Sequence, residues 1–105
     1  MKKDFNIDKA PKPVGPYPHS KKVGNFLFLS GIGSRKNSDN SIPKSFEDEC
    51  RSVFKNIRIV LEESHAKFED LIDVTVYLTN MNQDFKTFNK LYKDYFKDIN
   101  PCRTT

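Results

Sequence analysis

The residue types able to bind metals or act as nucleophiles are few in this sequence. It has two cysteines, Cys50 and Cys102, and two histidines, His19 and His65. None of them are paired at the short spacing of zinc ligands, so the sequence predicts no metal site. The cysteines are too far apart to suggest a disulfide framework, which is typical of a reducing compartment. Cys102 has no recognisable base beside it and is not predicted to be a nucleophile.

The basic residues offer a second kind of chemistry, the binding of anions. Lys and Arg together number 18 against 14 Asp and Glu, which gives a net charge of +4. These basic residues are interspersed with acidic ones, and the basic runs are pairs such as Lys21-Lys22 and Arg35-Lys36. Dispersed charge is typical of a solvated surface, so the pattern argues against nucleic acid as the partner.

Two helices are predicted from apolar residues that recur at steps of three and four. Ser45 is a typical N-cap for the first helix, with Asp48 three residues later as a short capping box. Cys50 lies on the apolar stripe and is predicted to be a small buried residue. Asn80-Met81-Asn82 precedes the second helix and Asn100-Pro101 ends it. The two stripes are Phe46, Cys50, Val53, Phe54, Ile57, Val60 and Leu61, then Phe85, Phe88, Leu91, Tyr92, Tyr95 and Phe96.

Strands are predicted on either side of the first helix. From His19 the chain has the pattern of a hairpin, with Gly24-Asn25 as a two-residue turn before the apolar run 26–29. Because this run does not alternate, both of its faces need cover, one from the helices and one from another subunit or further chain. Residues 72–79 alternate between apolar and polar, and the threonines of 102–105 suit the start of a strand.

The order β-β-α-β-α, with both helices on the same side of the sheet, predicts a single α+β domain over residues 1–105. The arm before the hairpin carries Pro11, Pro13, Pro16 and Pro18, so it is predicted to be extended and not a central strand. No segment approaches the ~20 apolar residues that cross a bilayer, and the N-terminus lacks a signal-peptide apolar region. The sequence therefore predicts a cytoplasmic protein without a membrane partner.

Several short motifs resemble those of the Rid family, the reactive intermediate deaminases, also called YjgF-like. They are Gly15-Pro16-Tyr17, Ser30-Gly31, Asn89 and Pro101-Cys102-Arg103, and the resemblance runs from about Ala10 to Thr105. Segments 29–33, 50–54 and 101–105 look most like the 2-aminomuconate deaminase branch. The resemblance implies a chorismate-mutase-like fold and a homotrimer with a site in each cleft between subunits. It also implies hydrolysis of an imine or enamine to a carbonyl compound and ammonia, without a cofactor.

The resemblance assigns roles to individual residues. Arg103 matches the arginine that grips the substrate carboxylate, for which a guanidinium offers a planar fork that lysine lacks. Tyr17, Ser30, Gly31 and Asn89 match residues that bind substrate in the cleft. The implied mechanism is attack of a bound water on the C=N carbon, with backbone amides polarising the developing charge.

A substrate with a carboxylate at each end needs a second positive or donor group. Arg35 and His19 are predicted to supply it, because both differ from what the commoner amino-acid-imine branch has at these positions. Chains of the family continue past the arginine through two more strands, where a glutamate helps to position the water. The sequence therefore predicts a sheet without its last strands.

Two alternatives to the deaminase stay open at this stage. One is an RNA-directed ribonuclease or translation inhibitor, which the positive charge favours and the missing basic stripe disfavours. The other is a non-catalytic subunit that keeps the cleft for small ligands but not the chemistry.

Overall fold

The computed structural model describes all of residues 1–105. Its first three strands, β1 (Lys2–Phe5), β2 (Ser20–Val23) and β3 (Phe26–Leu29), form an antiparallel sheet in the order β1-β2-β3. Gly24, between β2 and β3, has a φ of 59°. That conformation favours glycine, and a glycine at the first central position is typical of a type II′ hairpin turn. The predicted hairpin is confirmed.

The first helix, α1 (Phe46–Glu63), begins where its N-cap signal predicts. The hydroxyl of Ser45 accepts a hydrogen bond from the N–H of Asp48 at 3.1 Å. The reciprocal half of the capping box is not formed, and the Asp48 carboxylate accepts a hydrogen bond from Arg51 at 3.3 Å. Cys50 is buried in the core, as its place on the apolar stripe predicts.

The C-terminal end of α1 is closed by a residue in the left-handed region. His65 has a φ of 64°, its N–H donates to the carbonyl of Glu62, and the N–H of Ala66 donates to that of Leu61. This is the pattern of a Schellman motif, which usually has glycine at that position. The His65 ring meets Phe5 of β1 edge-on, with 5.9 Å between ring centroids, and so packs the helix end against the sheet.

The second helix, α2 (Met81–Phe96), joins two further strands, β4 (Asp73–Thr75) and β5 (Cys102–Thr104). These strands pair in parallel as a separate sheet. A parallel pair needs a crossover connection, which α2 provides. Strand β4 is shorter than the predicted 72–79, because its only strand partner, β5, is three residues long.

The predicted architecture, α+β with helices packed on one face of the sheet, is confirmed, but the sheet is in two parts. No strand pairing joins β3 to β4. Both parts still face the same core, since Leu27 and Leu29 of β3 and Val74 of β4 pack against it. The buried core residues are Cys50, Phe54, Leu61, Phe68, Phe88, Leu91 and Phe96.

The other face of β3 has no cover within this chain. Phe26 and Phe28 are 65% and 61% exposed, whereas Leu27 and Leu29 between them are half-buried. The alternation of exposure shows that the helices cover one face only. The second cover that the apolar run predicts is not supplied by any of these 105 residues.

Strand β1 was not predicted from the sequence, where residues before the prolines have the composition of an extended arm. It lies at the edge of its sheet, with an ion pair of 3.3 Å between Asp4 and Lys21 of β2. The prolines follow it rather than interrupting it, which is consistent with their exclusion from central strands. Neither helix of the structure is long and apolar enough to cross a membrane.

Candidate functional site

The proline-rich arm is fastened over the end of β3 by His19. The ring Nδ1 accepts a hydrogen bond from the N–H of Ile7 at 2.9 Å, and Nε2 lies 2.8 Å from the carbonyl oxygen of Pro11. This pair of contacts requires the tautomer with its proton on Nε2, since a carbonyl only accepts. Both ring nitrogens are thus engaged with the arm. In this structure His19 therefore ties the arm in place, and its role as a donor to substrate stays a prediction.

Ser30 fastens the arm from the opposite side, at the end of β3. Its hydroxyl donates to the carbonyl of Pro18 at 2.7 Å, and its N–H donates to the carbonyl of His19 at 3.0 Å. These contacts hold Tyr17, the neighbouring residue of the arm, beside the strand end. A Cβ added at Gly15 would lie 3.2 Å from the Tyr17 ring, so glycine there allows the ring to fold back against the arm.

A cleft of about 50 Å³ lies between the arm and the segment after β3. A Cβ added at Gly31 or Gly33 would meet no protein atom within 4 Å, so packing does not require glycine at either position. The N–H groups of residues 31–33 have no partner in the protein. The lining residues are Ala10, Pro11, Lys12, Pro13, Tyr17, His19, Ser30, Gly31, Ile32, Gly33, Arg35, Asn56 and Val60. The cleft therefore offers donors and positive charge, but no carboxylate.

Arg35 also lines this cleft, on a loop that α1 holds in place. The amide of Asn56 donates to the carbonyls of Gly33 and Arg35, at 3.0 and 2.9 Å. The hydroxyl of Ser52, one turn earlier, donates to the carbonyl of Ser34 at 2.8 Å. Asn56 is buried, and sequence reasoning missed it because its position on the helix interrupts no pattern.

Arg103 and Asn89 form the second group of predicted site residues. A guanidinium Nη2 of Arg103 donates to the side-chain oxygen of Asn89 at 2.7 Å. The guanidinium also lies over three rings of α2, with its carbon 4.7 Å from the centroid of Tyr92 and farther from Phe88 and Phe85. Contacts of this kind favour a cation. Asn89 therefore orients the arginine in this structure.

The charge of Arg103 has no counterion within the chain. The side chain is half-buried, and no carboxylate lies within ion-pair distance of it. Its neighbour Tyr92 has a buried hydroxyl without a hydrogen-bond partner. Burial raises the pKa of this hydroxyl, and the charge of Arg103 opposes the increase. The sequence predicts Tyr92 only as a core residue of α2. Because Tyr92 follows Asn89 by three residues, both side chains lie on one face of the helix, beside Arg103.

The predicted residues thus fall into two groups in one chain. Tyr17, His19, Ser30, Gly31 and Arg35 line the cleft under the arm, whereas Asn89 and Arg103 contact each other and do not line it. No cluster of three or more His, Cys, Asp and Glu side chains is placed to hold a metal ion. One half of the site offers a cleft with unpartnered amides, and the other offers an arginine with an unsatisfied charge.

Comparison with known proteins identifies the relatives of this chain. A RutC family protein from Aquifex aeolicus is 37% identical over 98% of this chain and 83% of its own length. A protein from Dermatophagoides farinae named 2-iminobutanoate/2-iminopropanoate deaminase is 34% identical over 99% of this chain and 81% of its own length.

Solved structures agree with these sequence matches. The structure of YEO7 from yeast has a TM-score of 0.94 at 30% identity, over 99% of this chain and 82% of that one. E. coli TdcF, solved with bound serine, has a TM-score of 0.89 at 28% identity, over 97% of this chain and 82% of that one. The family described as Endoribonuclease L-PSP matches residues 7–105. With relatives at this identity over nearly all of its residues, the chain belongs to the Endoribonuclease L-PSP family, the Rid or YjgF-like family that its motifs resemble.

Proposed function

We propose that this protein is a deaminase that hydrolyses a small carboxylate-bearing imine or enamine to a carbonyl compound and ammonia. The observation that carries the proposal is Arg103, a half-buried guanidinium whose only hydrogen-bond partner is a neutral amide oxygen. A cation in this state attracts an anion of matching geometry, and a carboxylate accepts two hydrogen bonds from the guanidinium fork. The names of the relatives support this choice, since the D. farinae protein is called a 2-iminobutanoate/2-iminopropanoate deaminase.

The proposed chemistry needs little from the protein beyond positioning. Arg103 holds the carboxylate and so fixes the adjacent C=N carbon. Water adds to that carbon, the nitrogen takes up protons, and loss of ammonia leaves the C=O bond. The unpartnered N–H groups of residues 31–33 can donate to charge that develops during addition, which is the usual function of such donors. No cofactor is required for this hydrolysis.

We further propose that the working form is a homotrimer in which the two groups of site residues meet between subunits. Arg103 does not line the cleft of its own chain, so a complete site requires another copy. The outer face of β3, with Phe26 and Phe28 exposed, supplies apolar area for such an interface. Exposed apolar patches of this kind are typical of interaction sites.

As the specific substrate we propose 2-aminomuconate, an enamine with a carboxylate at each end. The motif likeness of segments 29–33, 50–54 and 101–105 to that branch supports it. The proposal of an imine or enamine deaminase does not depend on this particular substrate, because any small 2-imino acid presents one carboxylate to Arg103.

The test is ammonia release from an imine generated in situ from an amino acid by an oxidase. The protein should speed ammonia release above the spontaneous rate, and Arg103→Lys should abolish most of the gain. Arg51→Lys is the matched control, because Arg51 is an exposed arginine that pairs with Asp48 on the surface of α1. Binding of the imine without faster release would identify a non-catalytic subunit. Cleavage of RNA without any effect on the imine would favour the ribonuclease instead.

A further inference from the structure

We infer that the Arg35 end of the cleft under the arm is a subsite for a second carboxylate, so that dicarboxylate imines or enamines are the preferred substrates. The inference rests on the proposed function, because it assigns the specificity of that same site. Three features of the structure support it: the charge of the cleft, the free donors of Arg35 and the rigidity of its loop.

The charge of the cleft favours an anion. Its lining includes two cations, Lys12 and Arg35, and no Asp or Glu. Neither cation pairs with a carboxylate elsewhere, since the ion pairs of the chain involve Lys9, Lys21 and Arg51. Positive charge that has no partner in a concave site raises the local concentration of anions.

The guanidinium of Arg35 keeps most of its donors free. It makes a single hydrogen bond, from Nη2 to the carbonyl of Lys12 in the arm, at 3.2 Å. A guanidinium carries further N–H groups on a planar fork, and these can bind a carboxylate in a bidentate manner. The bond to the arm holds the side chain across the cleft without neutralising it.

The backbone under Arg35 is held in one conformation. Asn56 and Ser52 of α1 donate to three successive carbonyls, those of Gly33, Ser34 and Arg35. In a trans peptide the N–H points opposite to the carbonyl, so the N–H groups of Ser34 and Arg35 point away from α1. Neither has a partner in the protein. A carboxylate at Arg35 therefore meets a charged fork on a pre-organised loop, which lowers the cost of ordering on binding.

The same cleft is also lined by groups assigned to the reacting end of the substrate. Tyr17, Ser30 and Gly31 line the same space as Arg35. A monocarboxylate imine would use Arg103 alone. A dicarboxylate would in addition place its distal group at Arg35, and Asn56 is then a positioning residue for that contact.

The experiment compares kcat/KM for 2-iminopropanoate with that for 2-imino dicarboxylates of increasing length and for 2-aminomuconate. The key variant is Arg35→Gln, which keeps a polar side chain and removes the charge. We expect about a tenfold loss of kcat/KM on the best dicarboxylate, the lower range for a charge-assisted hydrogen bond at a partly exposed site. On 2-iminopropanoate the change should stay within about twofold. Arg51→Gln is the matched control and should leave both values unchanged, because Arg51 is exposed and lies outside the cleft.

Ser52→Ala tests the clamp with little risk to folding, since it removes one of the three bonds to the loop. It should lower the ratio of kcat/KM on the dicarboxylate to kcat/KM on the monocarboxylate. A purely structural role of Ser52 would lower Tm and leave this ratio unchanged. Equal losses on both substrate classes in Arg35→Gln, or no loss on either, would overturn the subsite. If the wild type hydrolyses neither class, the deaminase proposal fails, and calorimetric titration with succinate decides the subsite separately. Binding that Arg35→Gln abolishes would support it, and no binding would overturn it.

Discussion

The replacement Arg103→Lys should separate the geometry of the carboxylate clamp from its charge. Lysine keeps the positive charge but has a compact ammonium in place of the planar fork. In the structure the fork does two things: it donates to Asn89 at 2.7 Å, and it leaves its other N–H groups free beside the ring of Tyr92. An ammonium cannot hold Asn89 and a bidentate carboxylate in the same arrangement.

The size of the effect follows from the bonds that are lost. A hydrogen bond to a charged group contributes about 1.5–3 kcal/mol, and the substitution removes one such bond to the substrate carboxylate. This corresponds to a decrease in kcat/KM of roughly 10- to 150-fold. Folding should suffer less, because Asn89 is only half-buried and water can replace the lost donor.

The assay is ammonia release from 2-iminopropanoate over a range of concentrations, with urea unfolding of each variant as the measure of stability. Asn89→Ala is the informative companion, since it leaves the guanidinium in place and removes only the group that orients it. It should give a smaller loss than Arg103→Lys. Turnover by Arg103→Lys close to that of the wild type would refute the assignment of Arg103 as the clamp.

Three other predictions concern the fold and the assembly. Phe28→Asp should give a smaller species by light scattering, because it places a charge on the exposed face of β3; an unchanged mass would remove that face from the interface. His65→Gly should be more stable than His65→Ala by about 1 kcal/mol in urea unfolding, since a residue with a Cβ is strained at a φ of 64°. Burial raises the pKa of Cys50 from 9.0 to about 11, so the unfolded chain loses this proton first and stability should fall as the pH rises from 9 to 11; the decrease should be smaller in Cys50→Ala.

The elements with local signals could be predicted from the sequence. Ser45 and the stripe that follows it define where α1 begins, and Gly24 defines the hairpin, because a cap and a turn depend on neighbours in the chain. Strand β1 and the division of the sheet could not be predicted. Both depend on which strands find partners, and the alternation that predicts a strand over residues 72–79 does not indicate that this strand pairs with β5.

Motif likeness named the candidate site residues, but it did not predict their contacts. Motif likeness placed Arg103 and Asn89 together in a cleft, but not as partners of each other. For His19, the residue type suggests a donor, and only the folded arm reveals that Ile7 and Pro11 occupy both ring nitrogens. Asn56 was missed altogether, because a polar residue on a helix has no signal for the loop that it will hold.

The parallel pairing of β4 and β5 has a kinetic consequence for the arginine. Parallel strands need a crossover connection, so the pairing of β5 with β4 closes the whole loop that contains α2, and this closure has an entropic cost. Besides the hydrogen bonds of the ladder, two backbone hydrogen bonds hold β5. The N–H of Cys102 donates to the carbonyl of Ile72, and the N–H of Val76 donates to the carbonyl of Thr104. A segment held this lightly should open locally at low free energy and exchange its amide hydrogens early. Arg103 would then be placed late in folding, and an anion bound to it should slow hydrogen exchange in β5 more than in α1.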